Sequence, residues 1–306
     1  MTGAEGPVVV VGDLMTDVIV AVDDPLALGS DTAAHVQTRQ GGAGANVAAW
    51  LADAGVPVVF VGVAGADPFG TEAAQVLRAG GVEARIRLTP DAATGTCVVL
   101  VGPDGERTML PDAGANSLLT STDLPEDLVA GAGHLHVSGY SLMNPGSRNA
   151  AVAGLARAHA AGVVTSVDPA SSAPLEAVGG SEFLAMTAGV GLVFVTPDEA
   201  EVLCDSRDPL VVGARLTATY AEVVVKLGPA GAIWFSRDEP AGVSVPAVAP
   251  PGPVVDTTGA GDAFAAAWLA TRRRGAAPDT ALRAATRAGS VVVTRIGARP
   301  RVKEPD

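Results

Sequence analysis

The chain has 306 residues, 48% of them hydrophobic and 4% aromatic, enough for one large core plus a small appendage built mostly from alanine and valine. Its net charge of −13 argues against nucleic acid and anionic membrane surfaces as partners, because phosphate backbones demand basic patches. The lysines are Lys226 and Lys303, and no Gly-Lys-Ser/Thr occurs, which excludes a P-loop.

The N-terminus carries no basic region ahead of its first apolar run, so no signal peptide is expected. No apolar segment approaches the roughly 20 residues that span a bilayer, and a cytoplasmic location is expected. Buried-strand patterns follow at Val8–Gly12, Val56–Val63, Leu135–Ser138, Val163–Asp168, Leu192–Thr196 and Val223–Leu227. Helical patterns lie between them: Asn46–Ala54 ends at Gly55, Thr71–Ala79 at Gly80 and Ser147–Ala161 at Gly162, each with glycine just past the last periodic residue. Continuous apolar strands alternating with helices predict a parallel sheet covered on both faces.

Two segments break the rhythm. Asp17–Val22 pairs with Ala33–Gln40, and Thr94–Val101 with Glu106–Pro111 around the turn Gly102-Pro103-Asp104-Gly105. Together they predict a small antiparallel sheet acting as a lid, with residues 13–40 and 93–112 forming it and residues 1–12, 41–92 and 113–306 forming the α/β core. Helices are expected at Gly261–Arg273 and Pro278–Thr294, with Arg272–Arg274 as a solvated helix end. Cys97 and Cys204 make neither a disulfide framework nor a CxxC site and read as reduced core residues. His134 and His136 flank Leu135 on one face of a strand, but no third ligand stands at zinc spacing.

Chemistry concentrates in two glycine clusters. Asp256-Thr257-Thr258-Gly259-Ala260-Gly261-Asp262 precedes an apolar helical run, so the amides of Gly259, Ala260 and Gly261 can converge on an anion at a helix start. Asp262 at the rim of such a pocket is suited to accept a proton from a hydroxyl attacking a phosphoryl group. The second cluster, Gly41-Gly42-Ala43-Gly44-Ala45-Asn46, does not complete G-x-G-x-x-G, and Gly12-Asp13-Leu14-Met15 follows the first strand, so a nicotinamide-dependent oxidoreductase is disfavoured.

Gly41-Gly42-Ala43-Gly44-Ala45-Asn46, with Gly62…Gly65-Ala66-Asp67…Gly70 after it, resembles the first signature of the ribokinase-like (PfkB) carbohydrate kinases, and the stretch 256–262 resembles their second. That resemblance spans essentially the whole chain. It implies a doubly wound, mostly parallel α/β sheet flanked by helices with a small β lid, and ATP-dependent phosphorylation of a hydroxymethyl group on a sugar, sugar acid or nucleoside. By position, Asp262 resembles the catalytic base and Gly259, Ala260 and Gly261 the anion hole. Asp17, Gly42 and Asn46 match positions that bind substrate hydroxyls; an Asp accepting two hydroxyls selects vicinal diols. Tyr140 stands where ribokinases have glutamate and is placed to stack on a sugar or base, while Arg107 in the lid offers a partner for a carboxylate or phosphate. Asp198 replaces the usual asparagine of an Asn-x-x-Glu motif whose glutamate, here Glu201, helps place Mg²⁺ through water. Lys226, Gly228 and Gly231 resemble the loop lining the nucleotide. Asp256 and Thr258, with carbonyls near Val292 and Gly297, resemble a monovalent-cation (K⁺) site. Met15 and Ala43 depart from the ribokinase pattern, so ribose is not favoured. The alternatives are an adenosine-type nucleoside kinase and a non-catalytic sugar or nucleotide sensor. An exposed lid sheet predicts a homodimer.

Overall fold

A computed structural model describes residues 5–103 and 107–300. In chain order its strands are β1 (Val8–Val11), β2 (Met15–Val22), β3 (Ala34–Gly41), β4 (Val58–Gly65), β5 (Glu83–Thr89), β6 (Gly95–Val101) and β7 (Arg107–Asp112). The second half supplies β8 (His134–Ser138), β9 (Thr165–Asp168), β10 (Leu192–Val195), β11 (Glu222–Lys226), β12 (Ala232–Ser236) and β13 (Glu239–Val245). Among the described residues, nine strands form one sheet in the order β13-β12-β11-β10-β9-β8-β1-β4-β5, and β3-β2-β6-β7 form a second. The large sheet is parallel from β11 through β5, and an antiparallel hairpin, β12–β13, finishes one edge.

β1 shows why the sheet must be covered twice. Val9 and Val11 pack into one buried cluster while Val8 and Val10 pack into another on the opposite face, the period-2 alternation of a strand buried on both sides. The second face is closed by the helices Ala43–Asp53, Ala260–Arg273 and Pro278–Val292, whose Leu51, Trp268 and Leu282 are fully buried. No helix among the described residues is long and apolar enough to cross a membrane.

β5, β12 and β13 were not expected from the sequence. β5 is a half-exposed edge strand reading Glu-Ala-Arg-Ile-Arg-Leu-Thr, so its charges hide the apolar pattern. The smaller sheet corrects a second expectation: its two hairpins are antiparallel, but β2 and β6 join them in parallel, so the sheet is mixed. Asp104 and Gly105 of the predicted turn, and Glu106 of the strand expected after it, lie outside the described residues. Arg272–Arg274 is not a solvated end. Arg272 bonds Ala276 O at 2.8 Å and approaches Glu222 at 3.4 Å, Arg273 holds Gly6 O, and Arg274 bonds Ala54 O at 2.5 Å, so three arginines tie the helix end to its surroundings.

Strand order reverses at β1, with β8 on one side and β4 on the other, which opens a crevice at the carboxyl ends of β1 and β8. The helix Ala43–Asp53 reaches this crevice by close backbone approach: a Cβ on Gly44 would stand 2.5 Å from Gly12 Cα. Neither backbone can yield without displacing the helix from β1. Gly44→Ala is therefore expected to destabilise the protein by about 1–3 kcal/mol, read as a lower midpoint in urea unfolding.

Candidate active site

The carboxyl ends of the parallel strands deliver charged residues to one place. Asp13 follows β1, Ser138 ends β8, Asp168 ends β9 and Lys226 ends β11, while Thr196 caps the helix after β10. Asp13 acts as a bracket: its Oδ2 accepts from Ala43 N at 2.9 Å, and its Oδ1 from Gly44 N at 3.3 Å and Ser138 Oγ at 3.0 Å. A carboxylate satisfied this way can remain buried at a helix start.

Asp262 lies in the first turn of the helix Ala260–Arg273, and Gly259, in the left-handed region at φ 79°, turns the chain into it. Any Cβ on Gly259 would sit 2.5 Å from Ala298 Cβ, so the turn requires glycine. The amides of Gly259 and Gly261 have no backbone acceptor among the described residues, whereas Ala260 N donates to Thr257 O at 3.3 Å. Of the three expected donors, Ala260 is thus partly committed to the turn. A Cβ built on Gly261 would lie 3.6 Å from Lys226 Nζ, which puts a cation beside the bare turn.

Asp262 Oδ2 accepts from Asn46 Nδ2 at 2.8 Å, joining the two glycine clusters. Burial pushes the Asp262 carboxyl up to about 7, with Asp168 and Asp13 adding to the rise and the Asn46 hydrogen bond and Lys226 opposing it. Asp17, in β2 of the smaller sheet, is raised to about 6 by burial, with Arg299 pulling the other way. Lys226 Nζ bonds Asp168 Oδ2 at 2.6 Å. Burial works against its charge, but Asp168 and Glu199 outweigh that, and its pKa stands above the usual lysine value. Asp262, Asp168, Ser138 and His136 line one small cavity.

Other expected residues fall into place unevenly. Gly42 is the N-cap of the Asn46 helix, with φ 93°, and Tyr140 is largely buried, its pKa raised by that burial. Gly228 and Gly231 form a tight turn after β11, closed by Leu227 N to Gly231 O at 2.8 Å. Asp256 accepts from Thr258 N at 2.8 Å and Gly297 N at 3.1 Å, which gathers three of the four expected cation residues. The carbonyl of Val292 accepts from Arg295 N. Asp198 and Glu201 are not brought to the cluster: their side chains are 64% and 51% exposed, and both pair with Arg207. The side chain of Arg107 lies outside the described residues.

Sequence reasoning missed Asp168, Glu199 and Arg299. Glu199 is 3% exposed and completes a capping box with Thr196, a Thr-x-x-Glu pattern that was legible in the chain. Arg299 comes from a loop without periodicity and left no signal. His134 and His136 do share a face, but both rings bond Ser166 Oγ, at 2.7 and 2.8 Å, and burial pushes both down to about 3, which keeps them neutral.

With that geometry in view, the model of the pfkB family of carbohydrate kinases matches residues 6–305. The chain belongs to this family. It is 30% identical over 239 residues, covering 75% of this chain and 68% of the relative, to probable fructokinase-7 of Arabidopsis thaliana. It is also 30% identical over 299 residues, 94% of this chain and 92% of the relative, to the ATP-dependent ribose-1-phosphate kinase of Halopiger xanaduensis. The structure of Arabidopsis thaliana ribokinase complexed with ribose and ATP superposes with a TM-score of 0.80 at 27% identity, covering 97% of this chain and 95% of that one. The protein is a carbohydrate kinase, transferring phosphate to a hydroxyl group, on a ribokinase-like fold.

A buried acid whose pKa is raised makes a signed contribution to stability. Below pH 4 Asp262 is neutral in both folded and unfolded states; between about pH 4 and 7 the unfolded chain ionises it while the folded protein keeps it protonated, so stability falls across that window and levels off above it. The cost above pH 8 is on the order of 4 kcal/mol. Asp262→Asn is expected to melt close to the wild type at pH 4 and several degrees above it at pH 8.5, as measured by differential scanning calorimetry.

Proposed function

We propose that the chain transfers the γ-phosphoryl group of ATP to the hydroxymethyl group of a small neutral sugar, with Asp262 as general base. The observation that carries this reading is the Asp262 carboxylate, half-buried beside an amide-lined turn and raised to about 7, near the pH at which it must take a proton. The acceptor hydroxyl gives its proton to Asp262 while its oxygen bonds the γ-phosphorus, and the bond from that phosphorus to the bridging oxygen breaks to release ADP. The amides of Gly259, Ala260 and Gly261, with Lys226 beside them, neutralise charge on the group in transit. Asp17, Gly42 and Asn46 hold the acceptor's hydroxyls, and Tyr140 supplies an apolar wall.

Several features support a neutral acceptor. Asp13, Asp17 and Asp262 surround the Arg299 guanidinium, so an anionic sugar would meet more negative than positive charge. Fructose is the first candidate, since relatives carry the name fructokinase and Met15 and Ala43 depart from the ribokinase pattern. The turn 228–231 and Asp198 would line the nucleotide. Mg²⁺ would be held through water by Glu201, which must then leave Arg207, and would supply positive charge to offset that of the phosphates. A monovalent cation such as K⁺ would be held by the loop that Asp256, Thr258, Val292 and Gly297 form. The smaller sheet would close over the acceptor as a lid and exclude competing water.

An ADP-release screen over pentoses, hexoses, keto-deoxy acids and nucleosides identifies the acceptor. With that acceptor, Asp262→Ala is expected to lower kcat by about 10² to 10⁴ while ATP still raises the melting temperature. Near-normal turnover in the purified variant overturns the assignment. The lid leaves Val36, Met109 and Leu110 more than half exposed, which supports a homodimer through lid pairing. Sedimentation at micromolar concentration is expected to give a dimer, and a strictly monomeric profile rejects it.

A further inference from the structure

The loop Gly297–Pro300 closes over the start of the Asp262 helix. Ala298 packs against Gly259, and its carbonyl accepts from Trp50 Nε1 at 2.8 Å, so the backbone beneath Arg299 is pinned to both helices of the site. Arg299 extends from it: Nε donates to Asn46 Oδ1 at 3.1 Å and Nη2 to Gly41 O at 2.5 Å. Asn46 passes the contact on, through Nδ2, to Asp262 Oδ2 at 2.8 Å.

An asparagine amide has two ends of nearly equal size. Rotated by half a turn, Asn46 would aim a carbonyl oxygen at the Asp262 carboxylate, and the two would repel. Hydrogen bonding to Asp262 favours the donor end, and a guanidinium, which has five donors and no acceptor, enforces that choice from the other side. We propose that Arg299 is a positioning residue for phosphoryl transfer: by holding Asn46 Oδ1 it keeps Nδ2 on Asp262 Oδ2, and so fixes Oδ1 of that carboxylate as the oxygen that takes the acceptor's proton. This rests on Asp262 being the base.

The charged surroundings are consistent with such a role. Asp17, Asp13 and Asp262 face the Arg299 guanidinium, and burial lowers it to about 10, which leaves it charged at neutral pH. Asp262 is faced by Asp168, Asp13 and Lys226 as well as by Asn46. Without the arginine, the amide is free to turn its oxygen toward the carboxylate, which would favour the protonated acid.

Arg299→Met removes every donor and keeps the length of the stem; Arg299→Lys keeps a donor. With the acceptor found by the screen, Arg299→Met is expected to lower kcat about 10- to 100-fold, the scale of a misplaced catalytic group, with the KM for ATP within about twofold. The acid limb of kcat/KM moves to higher pH, and Arg299→Lys recovers most of both effects. In an Asn46→Ala background, Arg299→Met adds less than about twofold, because its route to Asp262 is already cut. Should Arg299→Met lack a melting transition, the smaller, polar Arg299→Gln takes its place in the same cycle. Wild-type kcat and pH profile in the variant, or losses that multiply in full with Asn46→Ala, overturn the proposal. Asp262→Asn assayed alongside separates the two claims: an inactive Asp262→Asn beside a fully active Arg299→Met removes only the positioning role, and an active Asp262→Asn removes the base and this inference together.

Discussion

The 2.8 Å hydrogen bond from Asn46 Nδ2 to Asp262 Oδ2 joins two helix starts that are 216 residues apart in the chain. Each helix begins at a glycine with positive φ, and each glycine lies against backbone from a distant segment: Gly42 against Asp13, Gly259 against Ala298. The bare turns let the main chain come close enough for a short amide to reach a carboxylate. Any side chain at those turns would separate the helices before it altered the chemistry.

Around that bond the fold gathers an unusual density of buried charge. Asp13, Asp17, Asp168, Glu199 and Asp256 are all largely hidden, and Lys226 and Arg299 are the cations among them. Most of the acids are kept by hydrogen bonds: Asp13 and Asp256 each hold two backbone amides, and Glu199 closes a capping box. Asp262 is different. It accepts from the side-chain amide of Asn46, and its desolvated setting raises its pKa, as burial also raises those of Asp17 and Glu199. Environment, more than residue type, separates a proton acceptor from a strut.

The parallel topology explains why these groups meet at all. Side-by-side parallel strands end on one edge of the sheet, so Asp13, Ser138, Asp168 and Lys226, unremarkable when read singly, become neighbours. In register, Ser138 stands opposite Asp168 on the adjacent strand, and Lys226 reaches back across β10 to Asp168. An antiparallel sheet with the same strands would have sent half of them to the other edge.

Much of this was fixed locally and so was readable in the chain. The buried valine strands, the glycine stops of the helices and the two glycine clusters follow from periodicity and φ, which neighbouring residues decide, and they led to the doubly wound sheet and to Asp262. Short range also explains the errors: β5 carries alternating charge because it is an edge, and the parallel β2–β6 junction depends on which hairpins meet. The Asp168–Lys226 pair and the Arg299–Asn46–Asp262 chain of hydrogen bonds came only from tertiary structure. Their partners lie 58 to 253 residues away, and a charged side chain in one dimension carries no mark of which opposite charge folding will bring beside it.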